Sequence, residues 1–221
     1  MASSKLADSP TPGSTQPRIA VLMEQHYDHH EWLAFQDFFP ANGYVVEAVS
    51  HLWGQPELTF FANAVDGVVP GSCTVRLEVD QLDPRTYAAV LVIGGYASDR
   101  LRYEVTPSPG GDCQSPAARF LAGAMAYPGT IVGTLCHGVW LLTACRSLLQ
   151  GRRLTCASNV LRDVEHAGGH VVFESGQLAP VVMDADLVTA SHPDHLHSFL
   201  RAVLASLKSP DQKARTALTS Q

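Results

Sequence analysis

Along this chain, short unbroken apolar runs take turns with stretches whose apolar positions recur every three or four residues. That alternation is the mark of a parallel sheet covered by helices on both faces. Arg18 to Met23 is a short β-rich run and is predicted as the first central strand. Glu31 to Ala41 has helical spacing in Trp32, Phe35, Phe38 and Phe39, and Asn42 with Gly43 closes it as a left-handed stop. Tyr44 to Val49 follows as a second strand. From His51 to Asp80 the pattern loosens into short alternating pieces such as Thr74 to Val79, around Gly54, Pro56, Gly67 and Gly71. This reads as an antiparallel excursion rather than a second domain. Tyr87 to Ile93 is a third buried strand, closed by Gly94 and Gly95. Thr106 to Pro116 reads as a loop before a helix around Ala117 to Ala126. Further on, Gly168 and Gly169 make a turn, Val171 to Val182 a hairpin, Leu187 to Ala190 a strand and Pro193 to Leu207 a closing helix. No internal repeat appears.

The two ends differ from this body. Met1 to Pro17 is rich in Ser, Pro and Thr and has no apolar core, so it reads as a disordered leader rather than a secretory signal. Ser209 to Gln221 reads as a polar tail. The ordered unit is expected over 18–208.

The most informative stretch runs from Thr130 to Leu142. An apolar run reads as a buried strand, stops at Cys136, His137 and Gly138, and passes at once into a helical apolar pattern. A sharp strand-to-helix turn carrying one nucleophile is a nucleophile elbow, here with sulfur in place of a hydroxyl. Such a turn lifts the side chain above the sheet and aims free helix N–H groups at the thiol. Both effects favour the reactive thiolate. A lone cysteine is more commonly a small buried hydrophobe; the adjacent His137 and the freedom of Gly138 favour the reactive reading.

Composition narrows the classes. The 221 residues are 46% hydrophobic, enough for a sizeable core, and the net charge of −6 argues against nucleic acid or an anionic membrane as partner. No apolar stretch has transmembrane length. Five cysteines, Cys73, Cys113, Cys136, Cys145 and Cys156, are odd in number and lack CxxC spacing. That argues against a disulfide framework and a zinc site, and fits a reducing cytoplasm. The run Glu24 to Glu31 holds His26, His29, His30 and carboxylates, all ligand types. However, His30 and Glu31 are neighbours and cannot face one site on a helix, so no metal is expected. His26 and Tyr27 are expected at a pocket mouth. The paired glycines match no phosphate-loop or dinucleotide fingerprint. Trp53 and Trp140 read as core or interface aromatics.

Taken in order, the first strand followed by Glu31, the Gly94 and Gly95 turn, Asp99 to Arg102, the Cys136 elbow and the Leu187 to Pro193 ending resemble the ThiJ/PfpI family. This is the superfamily of the parkinsonism-associated deglycase and the PfpI-type intracellular proteases. The resemblance covers about Arg18 to Leu207. It implies a flavodoxin-like, doubly wound α/β fold working as a homodimer, without a cofactor. It also implies that Glu31 shares a proton with the Cys136 thiolate, against the plainer reading of a solvated helix-start carboxylate; Glu24 is a rival. By the same resemblance, the N–H groups of Gly95 and His137 would hold an oxyanion, and His137 would join a Cys-His-acid triad whose acid comes from a neighbouring subunit. The matching acid is Asp99, shorter than the usual glutamate, and Asp99 can equally cap a helix starting at Arg100. The implied activities act on a small electrophile: glyoxalase-type conversion of methylglyoxal, deglycation, amide or isonitrile hydrolysis, or peptide cleavage. Two other classes stay open. One is a redox-sensing or ligand-binding module using Cys136 without turnover; the other is a tailoring or self-protection protein for a natural product, its pocket enlarged by Thr106 to Pro116.

Overall fold

The computed structural model describes residues 16–103, 109–110 and 115–209. The expected leader (but for its last two residues), the tail beyond Ser209, Cys113 and most of the Thr106 to Pro116 loop therefore lie outside the described residues. The chain opens with β1 (Arg18–Leu22), α1 (His29–Ala41) and β2 (Val45–Ser50). The excursion supplies β3 (Leu58–Phe61), β4 (Ser72–Val75) and β5 (Leu77–Glu78). β6 (Ala89–Val92), α2 (Ala97–Leu101), α3 (Pro116–Met125) and β7 (Ile131–Leu135) lead to the elbow. A helix of 3-10 type, Cys136–Ala144, then precedes α4 (Arg146–Leu149), β8 (Arg153–Leu154), α5 (Leu161–His166) and β9 (His170–Val171). The hairpin β10 (Phe173–Glu174) and β11 (Gln177–Leu178), the pair β12 (Val181–Asp184) and β13 (Leu187–Ala190), and α6 (Leu196–Lys208) complete it.

The main sheet has seven strands in the order β12-β13-β7-β6-β1-β2-β5. All neighbours are parallel except β12, which runs antiparallel to β13 at one edge. The run β2-β1-β6-β7-β13 is the doubly wound, flavodoxin-like order, with its topological switch between β1 and β6. Every residue of β6, β7 and β13 is buried, as central parallel strands require. β3 and β4 form a separate antiparallel pair, so the excursion is as expected; its last piece, β5, returns to the main sheet beside β2. Only the middle of the expected Val171 to Val182 hairpin forms one, at β10 and β11; the ends pair elsewhere.

Register brings the site together. Leu22 pairs with Val92, and Val92 with Thr134, so β1, β6 and β7 end at one level. The segments leaving those ends carry Glu31, Gly94 and Cys136. On the helical side, α6 packs on β7 and β13, with Phe199 filling the space that Gly133 leaves open. Gly138 seats the elbow helix on β6: a Cβ there would stand 2.6 Å from the Val92 carbonyl oxygen. Because a backbone oxygen cannot swing aside, Gly138→Ala is expected to cost ~1–3 kcal/mol of stability. Urea unfolding measures this, and an unchanged midpoint would mean that the elbow is not seated on Val92.

Candidate active site

Asp28 starts α1. Its side chain accepts the Glu31 backbone N–H at 3.0 Å, an N-cap bond. A glutamate three residues after the cap ordinarily reaches back to the cap's own N–H. Here the Asp28 N–H already donates to the Gly94 carbonyl at 3.2 Å. The Glu31 carboxylate turns inward instead, and its Oε2 accepts the Gly94 N–H at 2.7 Å. Gly94 is required at this approach, since a Cβ would meet Glu31 Oε1 at 2.4 Å.

Glu31 is 0% exposed, and Oε1 has no hydrogen-bond partner among the described residues. Burial, first, and the nearby Asp28 charge raise its pKa well above the usual glutamate range, against the opposing Gly94 N–H. The protonated acid is thus favoured over the carboxylate. The solvated helix-start carboxylate is excluded by its burial.

Cys136 follows β7 with φ +54°, a strained conformation for a residue with a Cβ and the backbone signature of an elbow. Its thiol is free and half-buried. The expectation that the helix start favours thiolate is corrected here. Burial pushes the thiol up to about 11; the Glu31 carboxylate adds to this, the His137 backbone N–H on sulfur opposes it, and Asp28 adds a little. A helix N-terminus cannot outweigh desolvation and a like charge when a single N–H reaches the sulfur. Protonation of Glu31 withdraws the second of these influences.

The other expected residues fall variously. Gly95, at φ +76°, has an N–H with no hydrogen-bond partner among the described residues, whereas the His137 N–H serves the Cys136 sulfur. The His137 ring is held by two neighbours: Nε2 lies 2.8 Å from Asn159 Oδ1, and Tyr96 packs edge-on with centroids 5.3 Å apart. Asp99 does not cap a helix, because α2 begins at Ala97 with Tyr96 as its N-cap, and Asp99 sits inside the first turn. Its carboxylate makes no hydrogen bond or ion pair among the described residues. Glu24, the rival acid, is paired with Arg100 at 3.3 Å. His26 is exposed at φ +67°, with its N–H on the Phe61 carbonyl and its carbonyl accepting the Tyr96 N–H. Tyr27 is not at a mouth: it is 0% exposed and packs on His29, with its hydroxyl unpartnered. Strand-like pairing of Tyr27 with Ala62 and Gly95 draws it inward. Sequence reasoning missed Asn159, and also Asn63, which lies against Gly95. Neither carries a motif; each reaches the site by a fold contact between segments distant in sequence.

The ligand-type residues from Glu24 to Glu31 turn in different directions, toward Arg100, the helix cap, Gly71 and Gly94. Elsewhere, His51, Glu78 and Asp80 bring ligand atoms within 4.8 Å of one another, but they are engaged in pairs with each other and with Arg119. Among the cysteines, Cys73, Cys136 and Cys156 are free and Cys145 is disulfide-bonded, an exception to the expected thiol set. No helix among the described residues is long and apolar enough to cross a membrane.

The family model for DJ-1/PfpI matches residues 17–206. An uncharacterised protein of Staphylococcus aureus strain Mu50 is 34% identical over 137 residues, covering 61% of this chain and 70% of that protein. Among solved structures, a two-domain Anabaena variabilis protein with DJ-1/ThiJ/PfpI-like and ferritin-like domains superposes with TM-score 0.72 at 24% identity. That match covers 90% of this chain, which spans 52% of the larger protein. Drosophila melanogaster DJ-1beta superposes with TM-score 0.68 at 14% identity, covering 93% of this chain and 98% of that one. At these identities the structures speak for the fold alone.

Protonation of Glu31 has a measurable sign. Its folded pKa lies above the unfolded value of about 4.3, so the folded state holds an extra proton above that pH. Stability is unaffected below it and falls as pH rises toward the folded pKa, by up to about 1.4 kcal/mol per unit. Glu31→Gln keeps an acceptor for the Gly94 N–H and cannot ionise. It should therefore unfold at higher temperature than wild type at pH 8 and at nearly the same temperature at pH 4. Parallel melting curves for the two proteins would contradict a raised Glu31 pKa.

Proposed function

Because the chain belongs to the DJ-1/PfpI family, we propose that it is a cofactor-independent cysteine-nucleophile enzyme acting on a small electrophile. The reactive carbon would belong to a carbonyl, amide or isonitrile, in chemistry of glyoxalase, deglycase or hydrolase type, with peptide cleavage the less suited to a small site. The observation that carries this reading is a strained, half-exposed Cys136 at the end of β7, beside a fully buried Glu31 and a Gly95 N–H with no partner among the described residues.

With methylglyoxal as the example, the Cys136 thiol passes its proton to His137 as sulfur bonds the aldehyde carbon. The resulting oxyanion is received by the Gly95 N–H, joined by the His137 N–H once sulfur has become a thioether, and Glu31 supplies the proton that neutralises it. A base then moves the carbon-bound hydrogen to the adjacent carbonyl carbon, giving a lactyl thioester. Water hydrolyses this to lactate and restores the thiol. Glu31 acts as an acid here because burial keeps its proton on. His26, which is exposed, and Asn63 both lie against Gly95 and would bear on which substrate enters.

A homodimer belongs to this reading. Phe61, Val65, Val68 and Tyr96 are exposed apolar side chains on segments near the site, suited to a partner surface. A cytoplasmic setting suits three free thiols, while the Cys145 disulfide weighs toward an oxidising one. The competing reading, a redox sensor, draws on Cys136 being a half-exposed free thiol open to sulfinate formation. Its raised pKa makes it a slower target for peroxide and leaves the enzyme reading in need of a base to take the thiol proton.

A screen over dicarbonyl, amide and isonitrile compounds should find turnover in wild type and none in Cys136→Ala. Glu31→Gln should lose on the order of 10²-fold in turnover, the usual contribution of a positioned acid. Full activity in Cys136→Ala would end the nucleophile reading. Full activity in Glu31→Gln would leave Glu31 a buried structural acid.

A further inference from the structure

We propose that Asn159 is the positioning residue for His137, completing a Cys136, His137 and Asn159 array inside one chain. The inference rests on the reading of Cys136 as nucleophile and replaces the acid that would otherwise come from a second subunit. The contact itself is a 2.8 Å approach of His137 Nε2 to Asn159 Oδ1. A carboxamide oxygen can only accept, so this contact calls for a proton on Nε2, and in the neutral ring Nδ1 then keeps its lone pair. In that tautomer Nδ1 is the ring nitrogen able to accept a proton, and on this proposal it takes the proton that the Cys136 thiol gives up during the reaction. Cysteine, histidine and asparagine form one of the recognised variants of the nucleophile triad.

The contact is built into the way two helical segments meet. The elbow helix is of 3-10 type, so residues three apart lie on the same face, and His137 and Trp140 point the same way. Opposite them, Asn159 and Asp163 are four residues apart on the segment that enters α5. Three residues of 3-10 helix advance ~6 Å, and four residues passing from the 3-10 turn Ser158–Val160 into α5 advance ~6–7 Å, so the two rows stay nearly in step. Trp140 Nε1 accordingly donates to Asp163 Oδ2 at 2.9 Å, while His137 meets Asn159. A third tie, from the Ala157 N–H to the Cys136 carbonyl at 3.4 Å, fixes the start of this segment beside the nucleophile. Tyr96 closes the remaining side of the imidazole. Asp99, on the short helix that Tyr96 starts as its N-cap, makes no such contact among the described residues.

Asn159 is exposed, so replacing it should leave the fold intact, which unchanged melting would check. Asn159→Asp keeps the accepting Oδ1; Asn159→Ala removes it. Nitrogen chemical shifts of the His137 ring should report the Nε2–H tautomer in wild type and in Asp, and a mixture in Ala. The rate of Cys136 alkylation by iodoacetamide should follow the same order, with wild type and Asp close and Ala lower. With methylglyoxal, Ala should lose on the order of 10²-fold in kcat, the contribution of an oriented base, with KM little changed. An Ala variant with the wild-type tautomer and alkylation rate would overturn the proposal. So would an Asp variant that behaves like Ala, because the amide nitrogen would then be the group that matters. If wild type turns over no methylglyoxal, that substrate falls from the proposed function, yet the tautomer and alkylation comparison still decides the role of Asn159.

Discussion

A single buried hydrogen bond, from the Gly94 N–H to Glu31 Oε2, ties the start of the first helix to the end of the central strand β6. The site depends on it. The bond exists because the Asp28 N–H is already spent on the Gly94 carbonyl, so a glutamate at the usual capping position has nothing to cap. Its approach leaves no room for a side chain at Gly94 and pins the following Gly95 with its N–H open. The doubly wound order makes this possible by ending β1, β6 and β7 at one level, beside the switch point where such sheets receive ligands.

Electrostatics follow from that burial. Removing a carboxyl from water favours its protonated form, and a second carboxylate at Asp28 adds to the effect. The same loss of solvent holds the Cys136 proton in place. Both shifts favour the protonated form, so burial works against resting charge in this site. On the proposed reading His137 takes the thiol proton, and its ring is held by Asn159 and Tyr96.

Much of the architecture was legible in the residues. β6 is an unbroken apolar run, and β1 and β13 depart from one only at Arg18 and Thr189, as strands buried on both faces require. The elbow was legible because a turn that abrupt, with a glycine two residues on, leaves a pattern. Its helix was readable as helical but not as 3-10, since apolar residues fill nearly every position and mark no period. The Asp99 cap misled because α2 starts three residues earlier, at Ala97, with no capping side chain. Tyr27 sat beside polar residues and read as a mouth; its burial comes from pairing with Ala62 and Gly95, which lie far along the chain. The thiol's raised pKa, the Asn159 contact and the Cys145 disulfide are likewise products of three-dimensional proximity.

The central claim is that Glu31 keeps its proton at neutral pH beside a protonated Cys136. Following the Glu31 side-chain carboxyl carbon by NMR across a pH titration tests it without any assumption about substrate. The account predicts a carbon shift of the protonated acid persisting through neutrality, well above the ordinary glutamate value of about 4.3. A transition near that ordinary value would mean that Glu31 is a carboxylate at work, and the chemistry built on its proton would have to be abandoned.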